Sequence, residues 1–350
     1  MLIKNTPLPS PQAIREEIPL SAKGEAFLTY ARLQSSLILE RKLPLFAVVV
    51  GPCSIHDPTS AIEYALRLQK LSCELSHSLF LVMRFFLEKP RTKLGWKGML
   101  YDPHLDGSYD MIEGIKRSRK LLVYMAELGV PCACELLDPL VFNYFEDLIS
   151  WGFIGARTSA SPIHRQLASG VPFPVGFKNS VHGDIDTAVA GAFSAKHPHC
   201  HIGIDAQGKI SAAETSGNPW THIVLRGSTK GSNFHPSSVG IAKEALQQHE
   251  LNPLILIDCG HGNSKKQPLC QKIAFTSAVL QAAAPNSPIV GTMIESHLFA
   301  GKQQITKNPK NLRYGISITD SCLGWEETEH WLRWAETVLS GCKSMSSTQK

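Results

Sequence analysis

Eight short runs of apolar and β-branched residues recur along the chain, at 45–50, 79–86, 132–137, 153–156, 174–177, 222–225, 254–257 and 288–294. Most are continuous rather than alternating, the pattern of strands buried on both faces of a parallel sheet. Segments with helical spacing lie between them. The clearest, 111–128, sets Ile112, Ile115, Leu122 and Met125 in one stripe interrupted by Arg119, and Gly129 with Pro131 ends it. Further helices are expected at 184–195, 236–250, 267–284 and 326–339, the last offering Trp331, Leu332, Trp334, Ala335 and Val338 to its inner face. Alternating strands and helices in eight units predict an α/β fold of the (β/α)8 TIM-barrel type. An open doubly wound sheet would show the same periodicity. Beyond a minimal barrel, residues 1–43 form an N-terminal extension, 87–110 a long loop, and 200–216 an inserted β-hairpin with its turn near Gln207 and Gly208. The barrel is assigned to 44–343 and a polar tail to 344–350.

Composition narrows the class without changing this picture. A formal charge of +5 is mild for 350 residues and does not point to nucleic acid. The basic clusters at 116–120 and 265–266 are short and read as solvated surface. No apolar run approaches the roughly 18 residues of a membrane span, and residues 1–17 lack the apolar stretch of a signal peptide. The nine cysteines are odd in number and scattered, which favours a reducing cytoplasm over a disulfide framework.

The chemistry lies where the apolar runs end. Cys53 follows the first, Arg84 closes the second, and Glu135 sits in the third. Arg157, Lys178, Arg226 and His261 follow the fourth to seventh, and Glu295 ends the eighth. Barrel strands bring these ends to one face, which is where such barrels carry their sites. Two sets separate. Cys53, His261, Glu295 and Asp320 offer a thiolate, an imidazole and two carboxylates, a mixed set suited to one divalent transition metal. Arg84, Lys89, Arg91, Arg157, Lys178 and Arg226 are cations without matching carboxylates, which suggests anionic substrates carrying more than one phosphate. The tract HPHCH at 197–201 looks metal-binding, but it opens the hairpin, where alternate residues point to opposite faces, and is read as structural.

Ten motifs then occur in order: GPCSIHD (51–57), EKPRT (88–92), GWKG (95–98), DPHLDGSYD (102–110), GART (155–158), PVGFKN (174–179), LRG (225–227), DCGHGNS (258–264), ESH (295–297) and SITD (317–320). Together they closely resemble type I 3-deoxy-D-arabino-heptulosonate 7-phosphate (DAHP) synthases, over nearly the whole chain. The resemblance implies condensation of phosphoenolpyruvate with erythrose 4-phosphate and water, giving DAHP and phosphate, the first step of the shikimate pathway to aromatic amino acids. It implies Cys53, His261, Glu295 and Asp320 as ligands of one divalent ion (manganese, iron, cobalt or zinc). It places Arg157 and Arg226 on the enolpyruvate phosphate, with the backbone amides around Gly155 and Ala156, and Arg84 and Lys178 near its carboxylate. Arg91 and Thr92 would anchor the aldose phosphate. Lys89 would lie between the substrates as general acid, and Glu135 or a metal-bound species would activate water. A related synthase that uses arabinose 5-phosphate often has Asn where Cys53 stands, so Cys53 and the KPRT stretch argue against it. The loop after GART, with Ala160 and Pro162, and the stretch 226–235 depart from the usual pattern.

The same resemblance implies a homodimer or homotetramer and feedback by an aromatic amino acid. The effector pocket would involve the hairpin, the 138–150 region and the N-terminal arm of another subunit. One hairpin position separates phenylalanine-sensitive members, with Ser, from tyrosine-sensitive ones, with Gly. Gly203 occupies it here, so tyrosine is the expected effector.

Overall fold

The computed structural model describes residues 5–91, 94–306 and 308–347; the expected aldose anchor Thr92 lies outside them. Among the described residues there are ten strands: β1 Phe46–Gly51, β2 Leu79–Arg84, β3 Cys132–Glu135, β4 Trp151–Ile154, β5 Val175–Lys178, β6 His199–Ile204, β7 Ile210–Thr215, β8 Thr221–Leu225, β9 Ile255–Asp258 and β10 Ile289–Glu295. All but β6 and β7 close into a parallel barrel in the order β1, β2, β3, β4, β5, β8, β9, β10. The alternative of an open sheet is therefore excluded: β10 pairs with β1, from Ala47 against Gly291 to Gly51 against Glu295.

Continuous apolar runs arise because both strand faces are covered. Ala47 and Val49 point into the barrel with Val82, Ala133, Phe153, Val224, Leu256 and Met293. Val48 and Val50 point outward into the layer shared with the helices. Burying each Val or Leu contributes roughly 1.5–3 kcal/mol, so a one-residue slip, which exchanges the two faces, is strongly disfavoured. Strand boundaries differ from the sequence expectation where runs extend into site loops. The third run stops pairing at Glu135. The fourth begins earlier, at Trp151, which pairs in register with Ala133, and leaves Gly155 and Ala156 beyond the strand.

Helices start where side chains cap them. Asp57 accepts from the backbone of Thr59 and Ser60 ahead of Pro58–Glu74, and Asp110 accepts from Glu113 ahead of Met111–Leu128. Gly129 ends the latter at φ 84°, a left-handed conformation that favours glycine. The helix expected at 267–284 enters by a 3-10 turn at Pro268–Cys270 before Gln271–Ala282. The terminal helix, Trp325–Ser347, runs into the stretch expected as a tail, where no Gly or Pro follows Gly341 to stop it.

The segment before the barrel is helical, at Pro11–Glu17 and Ala22–Leu39. Leu39 packs into the cluster that fills the barrel. Arg119, the charged break in the apolar stripe, explains how the arm is held. Buried, it donates to both carboxylate oxygens of Asp147 at 2.9 and 2.7 Å and to the carbonyls of Ile18 and Tyr144 at 2.9 Å. Arg15 donates to the Asn143 carbonyl, and the Tyr144 hydroxyl to the Pro9 carbonyl. Strands β6 and β7 form the expected hairpin, antiparallel, with Gly203 opposite Ser211. Its tip accepts a hydrogen bond from Gln12 N to Ala206 O at 2.9 Å. Within a single chain the arm thus reaches both the 138–150 region and the hairpin.

Candidate active site

A cavity of about 730 Å³ opens at the carboxyl ends of the barrel strands. Arg84, Lys89, Arg91, Glu135, Gly155, Ala156, Arg157, Lys178, Arg226, His261 and Asp320 all line it, so residues scattered over most of the sequence converge as expected.

Cys53 lies just past β1 and is buried, as is Glu295 at the end of β10. Together with Asp320 they offer three donor atoms within 4.8 Å of one another. This grouping of one sulfur and two carboxylates, with Cys53 and Glu295 buried and Asp320 half-buried beside the cavity, fits a divalent transition metal. His261 stands next to this group but is not one of the three. Its Nδ1 lies 2.9 Å from Asp258 Oδ2, and its backbone is held at φ 52°. Among the described residues the HPHCH tract contributes to no such group; His199 Nε2 instead meets the Ser194 carbonyl at 2.9 Å.

The cations are held in two ways. Arg84, 1% exposed, donates through Nη1 to the carbonyls of Pro52 and Cys53, each at 2.6 Å, and through Nη2 to Glu295 at 3.1 Å. It therefore braces the donor group as well as lining the cavity. Lys89 Nζ donates to the Cys53 carbonyl at 2.8 Å and contacts its Sγ at 3.1 Å. Lys178 Nζ donates to Asp258 at 2.7 Å. By contrast Arg226 has its pKa lowered, first by burial and, among its charged neighbours, by Arg157, against the pull of Asp258. Two guanidinium groups lining one cavity wall make a receptor for an anion. Arg91 Nε donates to the Trp96 carbonyl at 2.8 Å, which fixes the base of its loop.

Electrostatics follow from burial. Burial and then the Glu295 carboxylate push the Cys53 thiol up, against Lys89 and Arg84. Burial also pushes the Asp320 carboxyl up, but Lys266, Lys89 and His261 outweigh it and keep the group below its ordinary value.

Two participants escaped the sequence reading. Phe86, one residue of the second apolar run, has the Arg84 guanidinium 3.8 Å from its ring centroid and the amines of Lys89 and Lys178 at 5.8 and 5.9 Å. A ring face among three cations attracts them, yet nothing in the run distinguishes Phe86 from a core residue. Asp258, fully buried, is the other. A carboxylate closing an apolar run was its visible signal. Loop contacts complete the frame. Gly227, at φ 69°, brings the backbone after β8 against Asn263, where any Cβ would meet Asn263 N at 2.4 Å. Asn179 Oδ1 accepts from Arg226 N at 2.8 Å.

The model of the DAHP synthetase I family matches residues 39–333. The chain belongs to that family. A phospho-2-dehydro-3-deoxyheptonate aldolase of Salmonella typhimurium, described as Tyr-sensitive, is 43% identical over 334 residues, 95% of this chain and 94% of that one. A tyrosine-inhibited relative from Schizosaccharomyces pombe is 42% identical, covering 92% and 87%. A Phe-sensitive relative from Escherichia coli is also 42% identical, covering 92% of each. The solved structure of the Francisella tularensis aldolase superposes with a TM-score of 0.94 at 39% identity, over 97% of this chain and 99% of that one. The fold is thus shared over 97% of the chain.

Proposed function

We propose that the chain condenses phosphoenolpyruvate with erythrose 4-phosphate and water to DAHP and phosphate, using a divalent ion held by Cys53, His261, Glu295 and Asp320. The observation that carries this reading is the cavity at the barrel mouth: a set of cations lines it together with Asp320, which joins the buried Cys53 and Glu295 in one S/O/O donor group at its wall. Family membership supports the reaction.

Each residue then has a task. Arg157, Arg226 and the amides around Gly155 and Ala156 hold the enolpyruvate phosphate, while Lys178 and Arg84 face its carboxylate. Arg91 and Thr92 anchor the aldose phosphate. Offsetting the repulsion between two polyanions is what allows them to lie side by side, so that orientation can lower the barrier. The enol carbon attacks the aldehyde carbon, forming the new C–C bond. As the aldehyde oxygen gains charge, Lys89 donates a proton to it. Water adds at the second enolpyruvate carbon, and its proton passes to a base, for which Glu135 lines the cavity. The C–O bond to phosphate then breaks as the new hydroxyl gives up its proton to the departing phosphate, leaving the ketone. When bound, the divalent ion supplies Lewis-acid polarisation of the aldehyde.

Feedback by tyrosine is part of the same reading, supported by Gly203 in the hairpin and by the tyrosine-sensitive relatives. We read the working form as a homodimer or homotetramer, which light scattering would test. The eight described cysteines are free thiols, in keeping with a reducing cytoplasm. No helix among the described residues is long and apolar enough to cross a membrane. A phosphate-release assay tests the central reading. Release should require phosphoenolpyruvate, erythrose 4-phosphate and Mn²⁺ together, and arabinose 5-phosphate should not replace the four-carbon aldose. No release under those conditions would overturn it.

A further inference from the structure

Behind the cavity wall, a buried carboxylate touches one side chain from each half of the site. Asp258 ends β9 and is 0% exposed. Its Oδ2 accepts from Lys178 Nζ at 2.7 Å and lies 2.9 Å from His261 Nδ1. Its Oδ1 accepts from Gly260 N at 3.0 Å. One carboxylate is thus shared between a side chain from the phosphoenolpyruvate half and one from the metal half.

We propose that Asp258 is a positioning residue that couples metal binding to phosphoenolpyruvate binding. The inference rests on the site roles given above. His261 Nδ1 lies beside the Asp258 carboxylate without an aligned hydrogen bond; once the ring turns to make that bond, Nε2 is the nitrogen left for a cation. A carboxylate behind a ligating imidazole orients the ring and raises its basicity, and loss of such a partner typically costs about 10–100-fold in metal affinity. Lys178 draws on the same carboxylate from the other side. An anionic substrate that engages Lys178 leaves more of Asp258's charge to His261, and so strengthens the metal site. Reciprocity follows: if phosphoenolpyruvate tightens metal binding by some factor, metal tightens phosphoenolpyruvate binding by the same factor.

The test uses the full chain, with Mn²⁺ affinity read by electron paramagnetic resonance of free ion and phosphoenolpyruvate affinity by calorimetry. Each is measured with and without the other ligand. Wild type should show reciprocal tightening. Asp258→Asn should weaken Mn²⁺ binding about 10–100-fold and bring the coupling factor towards one. Unchanged Mn²⁺ affinity in Asp258→Asn, or weaker affinity with the coupling factor intact, would overturn the proposal. A merely structural role would give the second of these. If Asp258→Asn does not fold, Lys178→Met serves instead. It frees Asp258 for His261 and should tighten Mn²⁺ binding in the absence of phosphoenolpyruvate by roughly threefold or more. No change there overturns the coupling. Failure of the wild type to bind either ligand would instead bring down the site assignment, and this inference with it.

Discussion

Arg84 on β2 and Glu295 on β10 form an ion pair at 3.1 Å in which the side chains are 1% and 5% exposed. The same guanidinium grips the Pro52 and Cys53 carbonyls at 2.6 Å, so one side chain fixes two of the three clustered donors. Removing it leaves the Glu295 charge buried without its partner. Breaking a buried pair in this way typically costs about 3–5 kcal/mol. Arg84→Met should therefore lower the unfolding free energy of the chelator-treated protein, read from urea titration, by an amount in that range. Arg84→Lys should recover part of the stability but little Mn²⁺ retention, because an ammonium lacks the planar fork that reaches three acceptors. An unaltered midpoint in Arg84→Met would contradict the bracing role.

Metal removal tests the donor group directly. Activity should vanish in excess chelator and return on addition of Mn²⁺ or Co²⁺. Cys53→Ser replaces the soft donor with a poor one and should sharply reduce both retained metal and turnover. Elemental analysis of the active protein decides the matter: full activity with no metal present would rule out the assignment.

Glu88 gives a pH prediction outside the donor group. Its carboxyl is pushed up to about 8, first by burial and then by the Asp138 carboxylate. Tyr101 Oη lies 3.1 Å from both Glu88 Oε1 and Asp138 Oδ2, and one hydroxyl hydrogen cannot serve both. An acid whose pKa is raised on folding binds its proton more tightly in the native state. Stability should thus be highest below the unfolded value near 4.5, fall as pH rises, and level off above about 8. Glu88→Gln should flatten that slope and stabilise the protein most at the alkaline end. Urea midpoints of both proteins between about pH 6 and pH 9 measure it, and parallel curves would exclude Glu88 as the source.

The barrel and most of the site were legible because they depend on local pattern and chain order. Continuous apolar runs state that both strand faces are covered, and a polar residue at the end of each run states which face of the barrel carries chemistry. Periodicity alone did not state closure, which rested on the count of eight units, since the pairing of Ala47 with Gly291 joins segments at opposite ends of the chain. Arg119 showed only as a fault in an apolar stripe, because its partners Asp147 and the Ile18 and Tyr144 carbonyls arrive from distant segments. Phe86 was hidden for the same reason, and Asp258, though visible as a carboxylate closing a run, had a role set only by what touches it across the barrel. That His261 leans on Asp258 was equally invisible, although the two are three residues apart.

Division of the two phosphates is separable by kinetics. Arg226, beside Arg157, is assigned to the enolpyruvate phosphate, and Arg91, on the loop anchored at Trp96, to the aldose phosphate. Arg226→Ala should raise KM for phosphoenolpyruvate far more than for erythrose 4-phosphate, and Arg91→Ala the reverse. Loss of one charge-assisted contact, at about 1.5–3 kcal/mol, corresponds to roughly 10–100-fold. Equal losses for both substrates in both variants would refute the division.

Gly203 carries the effector prediction. It lies on β6 opposite Ser211, and an added Cβ would meet Ala213 Cβ at 3.5 Å and His201 Nε2 at 3.9 Å, ordinary contacts. A serine therefore fits without disturbing the hairpin, and a change in effector preference can be read as a change in space rather than in folding. With glycine the face keeps room for the phenol hydroxyl that separates tyrosine from phenylalanine. Once buried, that hydroxyl needs a partner, since leaving it unsatisfied costs roughly 1–3 kcal/mol. Overall identity does not choose between effectors, because relatives of both sensitivities lie at 43% and 42%. Local geometry must. Titration of initial rate against each aromatic amino acid should show tyrosine inhibiting the unaltered enzyme most strongly. Gly203→Ser should keep turnover without effector and shift sensitivity towards phenylalanine. If phenylalanine already inhibits the unaltered enzyme better than tyrosine, the space at Gly203 does not set effector choice.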